Sequence, residues 1–285
     1  MCSTCGCGGD EPGQVEAGIP HPHDHDHPHD PHAEAGPAAR RVVVEQEILA
    51  KNNRFAAANR VAWEGRGLLT LNLLSSPGSG KTTLLARTSD TLGSELSVAV
   101  VEGDQQTSLD ADRIRATGVA AVQINTGKGC HLDAHQVGHA VDHLSVADRG
   151  LLFIENVGNL VCPAGFDLGE AARVVVLSVT EGDDKPLKYP DAFATADLVV
   201  INKIDLLPYV DFNVDRCIEY ARRLRPEVAT LSLSATTGEG VDGWLDWIRQ
   251  RRARLLAARR DELAAELAAV EGALGEESGL GASRT

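Results

Sequence analysis

The sequence predicts a mostly parallel α/β sheet with helices covering both faces, and three observations carry that prediction. Seven apolar, β-rich runs, at 68–74, 97–102, 120–124, 150–155, 172–179, 197–201 and 228–233, alternate with helical segments. Strands this apolar along their whole length are buried on both faces, as in parallel sheets. A glycine-rich turn, Ser75 to Thr83, joins the first run to a helical segment ending at Leu92. The chain is 285 residues long and 43% apolar, enough for one large packed domain or two small ones.

Composition excludes several classes. There are 41 acidic residues against 27 basic ones, a formal net charge of −14. Nucleic acid as the main partner would need clustered Lys and Arg. No apolar run approaches membrane-spanning length. Met1 to Cys7 lacks an apolar signal segment, so a cytoplasmic protein is expected. In that reducing compartment six cysteines read as metal ligands or buried thiols rather than disulfides.

Taken in order, residues 1–41 form a metal-binding tail. Cys2, Cys5 and Cys7 have the spacing C-x-x-C-x-C and can surround one soft metal ion, with the terminal amine as a fourth ligand. A thioredoxin-like pair would need a strand before it and a helix after it, and here there is only a chain end. Residues 10–40 are rich in Pro, Gly, Asp and His and are expected to be disordered. Within them His21, His23, His25, His27, His29 and His32 can buffer Ni²⁺, Zn²⁺ or Cu²⁺ in many arrangements. The competing reading is a solvated polar linker. Residues 42–66, with Ile48, Phe55, Val61 and Trp63, predict a helix that braces the domain.

The turn after the first strand is a phosphate cradle. Backbone N–H groups of Gly78, Ser79, Gly80, Lys81, Thr82 and Thr83 converge at a helix N-terminus, where an anion is favoured. Lys81 reaches toward β- and γ-phosphates, and the Thr82 hydroxyl suits Mg²⁺. The strict pattern has glycine where Ser75 stands, but the Gly-Ser-Gly-Lys-Thr core and its strand–turn–helix setting are those of a P-loop NTPase. In such a sheet, functional residues gather at C-terminal strand ends. Asp104, after the second run, suits water-mediated Mg²⁺ coordination or positioning of the attacking water, with a helix cap as the alternative. Glu155 ends the fourth run and suits Mg²⁺, and Gly158 can sense the γ-phosphate through its backbone. Asn202-Lys203-Ile204-Asp205 follows the sixth run and is a guanine signature. The Asp205 carboxylate pairs with guanine N1–H and the 2-amino group, and adenine lacks that donor pair, leaving the carboxylate unmatched. Ser234-Ala235 ends the last strand, where a backbone N–H can meet guanine O6.

Cys130-His131 and Cys162 could together make a soft site for Ni²⁺ or Zn²⁺, although free cysteines are often simply buried. Cys217 is given no function. His135, His139 and His143 read first as a solvated helix flank within 132–144 and second as auxiliary metal ligands. Residues 242–274 predict one long helix with a short coiled-coil-like seam, Leu256, Leu263, Leu267, Val270 and Leu274. The last ten residues are expected to be loose.

Together these residues resemble the hydrogenase nickel-incorporation GTPases, the HypB family. The resemblance rests on Cys2-x-x-Cys5-Gly6-Cys7, the His tract, the P-loop with Ser75, Gly129-Cys130-His131, the run Glu155 to Pro163, and Asn202-Lys203-Ile204-Asp205. It covers residues 1–9 and about 42–250, leaving 251–285 as a C-terminal helical extension with a loose end. The resemblance implies a GTPase (GTP to GDP and phosphate, with Mg²⁺) that dimerises across its nucleotide face. It also implies a tighter nickel site at Cys2, Cys5 and Cys7 and a weaker nickel or zinc site at Cys130, His131 and Cys162. A HypA-like nickel accessory protein and the hydrogenase large subunit would be its partners, and nickel delivery to a [NiFe] centre its outcome. The alternatives are a nickel store whose metal affinity ignores nucleotide, a related GTPase serving urease or a cobalamin-dependent mutase, and a GTP-gated switch with structural zinc. The N-terminal cysteine cluster argues against the urease and mutase clients.

Overall fold

The structure is a computed structural model that describes residues 37–104, 109–127 and 129–282. All seven expected runs are strands: β1 (Leu69–Ser75), β2 (Val98–Asp104), β3 (Ala120–Asn125), β4 (Leu151–Gly158), β5 (Ala172–Ser178), β6 (Leu198–Asn202) and β7 (Ala229–Ser232). They form one sheet in the order β3-β2-β4-β1-β5-β6-β7, and every pairing is parallel. Among the described residues there are eight α-helices: α1 (Pro37–Gly65), α2 (Lys81–Leu92), α3 (Leu109–Arg115), α4 (Ala134–Asp142), α5 (Lys185–Lys188), α6 (Pro190–Ala194), α7 (Val214–Leu224) and α8 (Val241–Ala282). This is the P-loop NTPase fold. Among the described residues no helix is long and apolar enough to cross a membrane.

Two-residue alternation feeds two cores. Leu71, Leu73, Val174, Val176, Leu198 and Val200 meet Leu84 and Leu85 of α2, Ile114 of α3 and Trp244 and Ile248 of α8. Leu74, Val175, Leu177, Val199 and Ile201 meet Phe193 of α6 and Cys217 and Ala221 of α7. Trp244 is fully buried, and its indole N–H donates to Thr88 Oγ1 at 2.8 Å, so the largest core side chain leaves no polar atom unmatched.

Three elements differ from expectation in extent or face. α1 begins at Pro37, five residues early, and a first-position proline costs a helix nothing. Of the apolar residues that marked it, Trp63 is buried but Val61 is 73% exposed. The face buried from residue 52 onward is instead Asn52, Ala56 and Trp63, with Asn59 beside them. The two asparagines bond backbone rather than apolar surface. Asn52 donates to Asp167 O at 2.7 Å and accepts from Ala134 N at 2.9 Å, and Asn59 donates to Ala134 O and Leu168 O. α4 starts at Ala134 because Asp133 and Gln136 form a capping box. α8 runs on to Ala282, eight residues past the expected end at 274, through glycines 275, 279 and 281 despite their weak helix propensity.

The loop from β4 to β5 is fixed from below by Arg173. Its guanidinium donates to Glu170 Oε1, to the carbonyls of Ala164 and Phe166, and to Thr195 Oγ1. Both members of the Arg173–Glu170 pair are buried. Removing one partner leaves an uncompensated buried charge and two orphaned carbonyls. Arg173→Ala is therefore expected to lower the unfolding free energy by about 3–5 kcal/mol, measured by urea denaturation. A loss below about 1 kcal/mol, the scale of an exposed pair, would refute this account.

Candidate nucleotide and metal site

A cavity of about 640 Å³ opens at the C-terminal ends of β1, β2 and β4, lined by Pro77 to Thr83, Glu102 to Asp104, Cys130, Glu155 to Asn159 and Lys203, with Asp110 and Arg113 from α3. The phosphate loop forms its floor. Gly80 has φ +96°, and a Cβ there would lie 2.5 Å from Asn202 Nδ2, so both backbone conformation and close approach require glycine. Lys81 is buried, and its ammonium donates to Ser75 Oγ. Ser75, the departure from the usual pattern, thus holds the lysine. Burial lowers the Lys81 pKa, and Glu155 opposes that shift.

Two carboxylates face the loop from neighbouring strands. Glu102 of β2 and Glu155 of β4 are register partners, and both are buried. Glu155 Oε1 accepts from Thr82 Oγ1 at 2.8 Å, while Oε2 of each glutamate has no partner among the described residues. Burial, then the charges of Glu155 and Asp104, pushes the Glu102 carboxyl up to about 8. Burial also raises Glu155, against Lys81 and Thr82, which hold it down. Unmatched carboxylate oxygens beside a threonine hydroxyl are a hard oxygen set that fits a divalent cation such as Mg²⁺. Glu102 was missed by sequence reasoning, which ended the strand there and preferred Asp104. Asp104 is the last residue of β2 and lines the cavity.

Gly158 ends β4 against the loop, where a Cβ would lie 2.9 Å from Pro77 Cα. On the other flank, Asn202 donates to Ser79 O at 2.9 Å, and Lys203, at φ +63°, donates to Gly78 O at 2.6 Å. A lysine in the left-handed region marks a constrained loop. Asp205 Oδ1 is buried without a partner among the described residues. The Ala235 N–H donates to Asn202 Oδ1, and the Ser234 N–H to Glu239 O. Neither amide is open to a base in this arrangement, because both are spent on shaping the turn. Arg87 of α2 holds the same turn by donating to Ala235 O and Thr236 O, a role that nothing in the sequence announced.

The metal candidates beside the β4 tip converge. One ligand atom each from Cys130, His131 and Cys162 lies within 4.8 Å of the others, and all three residues are half-buried. Burial lowers the His131 pKa, favouring the neutral ring that a metal requires. The ring stacks on Phe166, centroid to centroid 3.9 Å. Asn159 donates to Cys130 O at 3.3 Å, and Asn156 Oδ1 accepts from Leu132 N, so the β4 tip holds the Cys130 segment. Two sulfurs and an imidazole suit a soft or borderline ion. Cys217 is fully buried, and burial pushes its thiol up to about 12, which fits a packing role. His135 and His139 of α4 and His143, its C-cap, are exposed. Cys2, Cys5, Cys7 and the six tail histidines lie outside the described residues.

Residues 69–232 match the family model described as CobW/HypB/UreG, nucleotide-binding domain. The chain is 60% identical to the hydrogenase maturation factor HypB of Azotobacter chroococcum mcd 1 over 243 residues, covering 85% of this chain and 80% of that one. It is 50% identical to the hydrogenase maturation factor HypB of Escherichia coli K12, covering 88% of this chain and 99% of that one. A solved structure of HypB from Helicobacter pylori in complex with nickel is similar at a TM-score of 0.68 and 41% identity, covering 72% of this chain and 96% of that one.

The Glu102 carboxyl gives the fold a pH signature. Folded, it stays protonated up to about 8, whereas unfolded it ionises in the ordinary carboxylate range. Between those limits the unfolded chain binds fewer protons, so this contribution to stability falls as pH rises and levels off above about 8. Without nucleotide or metal, Glu102→Gln should therefore gain on the parent by a few degrees of Tm between pH 5 and 8. Melting curves that stay parallel across that range would contradict it.

Proposed function

The chain belongs to the CobW/HypB/UreG family, on its HypB branch, and from that premise we propose that it is a GTP-hydrolysing nickel carrier that delivers nickel during maturation of a [NiFe] hydrogenase. The observation that carries this reading is that Cys130 lines the same cavity as the phosphate loop and is bonded to Asn159, the neighbour of Gly158. The nickel-bound Helicobacter relative supports nickel as the cargo.

In this reading the loop amides from Gly78 to Thr83 cradle the phosphates, and Lys81 exchanges Ser75 for phosphate oxygens. Asp205, with its unmatched oxygen, takes the guanine N1–H and 2-amino group. Thr82, Glu102 and Glu155, with Asp104 nearby, would hold Mg²⁺, which when bound offsets phosphate charge. Asp104 orients the attacking water at the β2 tip, and Gly158 senses the γ-phosphate through its backbone. Cys130, His131 and Cys162 hold nickel, and zinc fits the same ligand set. A shift of Gly158 and Asn159 on hydrolysis pulls at Cys130 and, four residues on, at Cys162, and loss of one ligand in three releases the metal.

The wider assignments belong to the same proposal. Residues 1–41 form the tail, with Cys2, Cys5 and Cys7 as the tighter nickel site and the histidines as a buffer. Residues 42–250 form the GTPase domain, and 251–285 the helical extension. The protein works in the cytoplasm, where thiols stay reduced. It pairs with a second copy across the nucleotide face, with a HypA-like accessory protein upstream and the hydrogenase large subunit as recipient. The relatives named as hydrogenase maturation factors support that client.

Nickel affinity of the full chain is expected to differ by about fivefold or more between GDP and a non-hydrolysable GTP analogue, the low end of ordinary coupling between two sites. Equilibrium dialysis measures it, and Cys162→Ala should abolish the difference. Equal affinities would favour the nickel store instead. Independently, Asp205→Ala should weaken GDP binding by about 1.5–3 kcal/mol, the range for bonds to a charged group, by calorimetry. Unchanged GDP affinity would remove guanine recognition from this loop.

A further inference from the structure

Beyond Arg260 the last helix carries apolar side chains that its own domain leaves uncovered. Leu263 is 47% exposed, Leu267 59% and Val270 57%. Their spacing continues back to Leu256 and forward to Leu274 as one heptad register. Leu256, Leu263 and Val270 take d positions, and Arg260, Leu267 and Leu274 take a positions. A sustained a/d stripe on a helix belongs against another helix.

The helix is firmly rooted before the stripe begins. Trp244, Leu245 and Ile248 are buried in the first core. Arg252 donates to Arg149 O at 2.9 Å, and Leu256 Cδ2 lies 3.0 Å from where a Cβ on Gly67 would sit. Gly67 and Arg149 precede β1 and β4, so the stripe leaves the domain at the strands' N-terminal ends, opposite the cavity. A helix already formed pays little further ordering on association.

We propose that α8 is a homodimerisation helix, residues 263–274 pairing antiparallel with the same residues of a second copy of this chain about a two-fold axis. The stripe is self-complementary in that sense. Centring the pair between residues 268 and 269 sets Leu267 on the partner's Val270 and Leu263 on the partner's Leu274, so a meets d in each layer. The flanking charges choose the same orientation. Antiparallel, Glu266 lies beside the partner's Ala273 and Glu271 beside the partner's Ala264, with no like charges opposed. Parallel, Arg260 would stack on the partner's Arg260, and Glu266 would face the partner's Glu271 on both flanks. Length agrees as well. The two-fold centring sets the partner's residue 282, the last of α8, against residue 255, where the helix enters its own domain. At 1.5 Å per residue the two points of emergence lie about 40 Å apart, leaving room for both domains.

Sedimentation equilibrium of the full chain, with reductant and without nucleotide or added metal, tests this. A reversible dimer is expected, and Leu267→Glu should weaken it by about tenfold or more, because a charge replaces a buried seam residue. Ala273→Arg places a cation opposite the partner's Glu266 only in the antiparallel pair, and should tighten the dimer by about two- to fivefold. Glu271→Lys should leave it within about twofold, since that residue faces alanine. A wild-type chain still monomeric at about 100 μM, too weak for a dimer in a cell, would overturn the proposal. So would a dimer indifferent to Leu267→Glu. Tightening by Glu271→Lys rather than Ala273→Arg would mean a parallel pair and equally overturn it. Leu267 lies outside the nucleotide and metal machinery, so unchanged GDP binding by Leu267→Glu reports an intact domain.

Discussion

Two buried carboxylates face one buried ammonium at the end of the sheet, and much of the site is arranged around that imbalance. Glu102 and Glu155 sit side by side because β2 and β4 are in register, and neither strand can rotate its residue away without breaking the ladder. A buried charge left unpaired is expensive, so Glu102 keeps its proton to about 8 and Lys81 leans on a serine hydroxyl. The open oxygens of both glutamates are stability forgone in the isolated fold. They are also the property a nucleotide site needs, because phosphate charge can be accepted there only together with positive charge.

The β4 tip extends this arrangement to the second site. Alternation along the strand directs Glu155 toward the phosphate loop and Asn156 to the opposite face, where it accepts from Leu132 N and donates to Asn72 at 3.4 Å. Asn72 donates to Glu170, which pairs with Arg173, whose guanidinium grips the Ala164 and Phe166 carbonyls. This buried polar chain pins the base of the Cys162 loop, and Asn52, Asn59 and Arg60 of α1 secure its far end at Asp167 and Leu168. Stiffness on both sides concentrates any displacement into the few residues from Gly158 to Cys162. A softer loop would absorb a small shift, whereas a pinned one passes it to the thiol.

What could be read in the sequence follows from which forces leave a local pattern. The seven strands were legible because burial on both faces writes continuous apolar runs. The phosphate and base loops were legible because their chemistry is contiguous. Glu102 was not, because an acid inside an apolar run looks like the end of a strand rather than a buried member of it. The inner face of α1 was not legible because asparagines bonding loop carbonyls do not look like a packing surface. Arg87 touches a turn almost 150 residues away, and no local pattern encodes that. The convergence of Cys130 and His131 with Cys162 depends on β2 lying between β3 and β4, so that the loop after β3 folds over the tip of β4. Spacing suggested the ligands, and strand order alone brings them together.

The position of α8 bears on how assembly and turnover would combine. Its rooted half runs from the end of β7 back toward Gly67 and Arg149, so the exposed half emerges on the edge of the sheet farthest from the nucleotide. A pairing there leaves the cavity mouth and the Cys130, His131 and Cys162 cluster uncovered. Two self-complementary surfaces at opposite ends of one protomer generate an alternating chain unless their axes close a ring. A contact across the nucleotide face would draw on local rather than bulk concentration only if it formed between the two copies of one α8 pair. The span between rooted domains decides whether that second contact can form within one pair. At about 40 Å between points of emergence on the edges remote from the cavities, two domains of this size point their cavities apart. The proposed nucleotide-face contact would therefore fall between pairs, and the α8 pairing would act by doubling the number of sites each assembly presents.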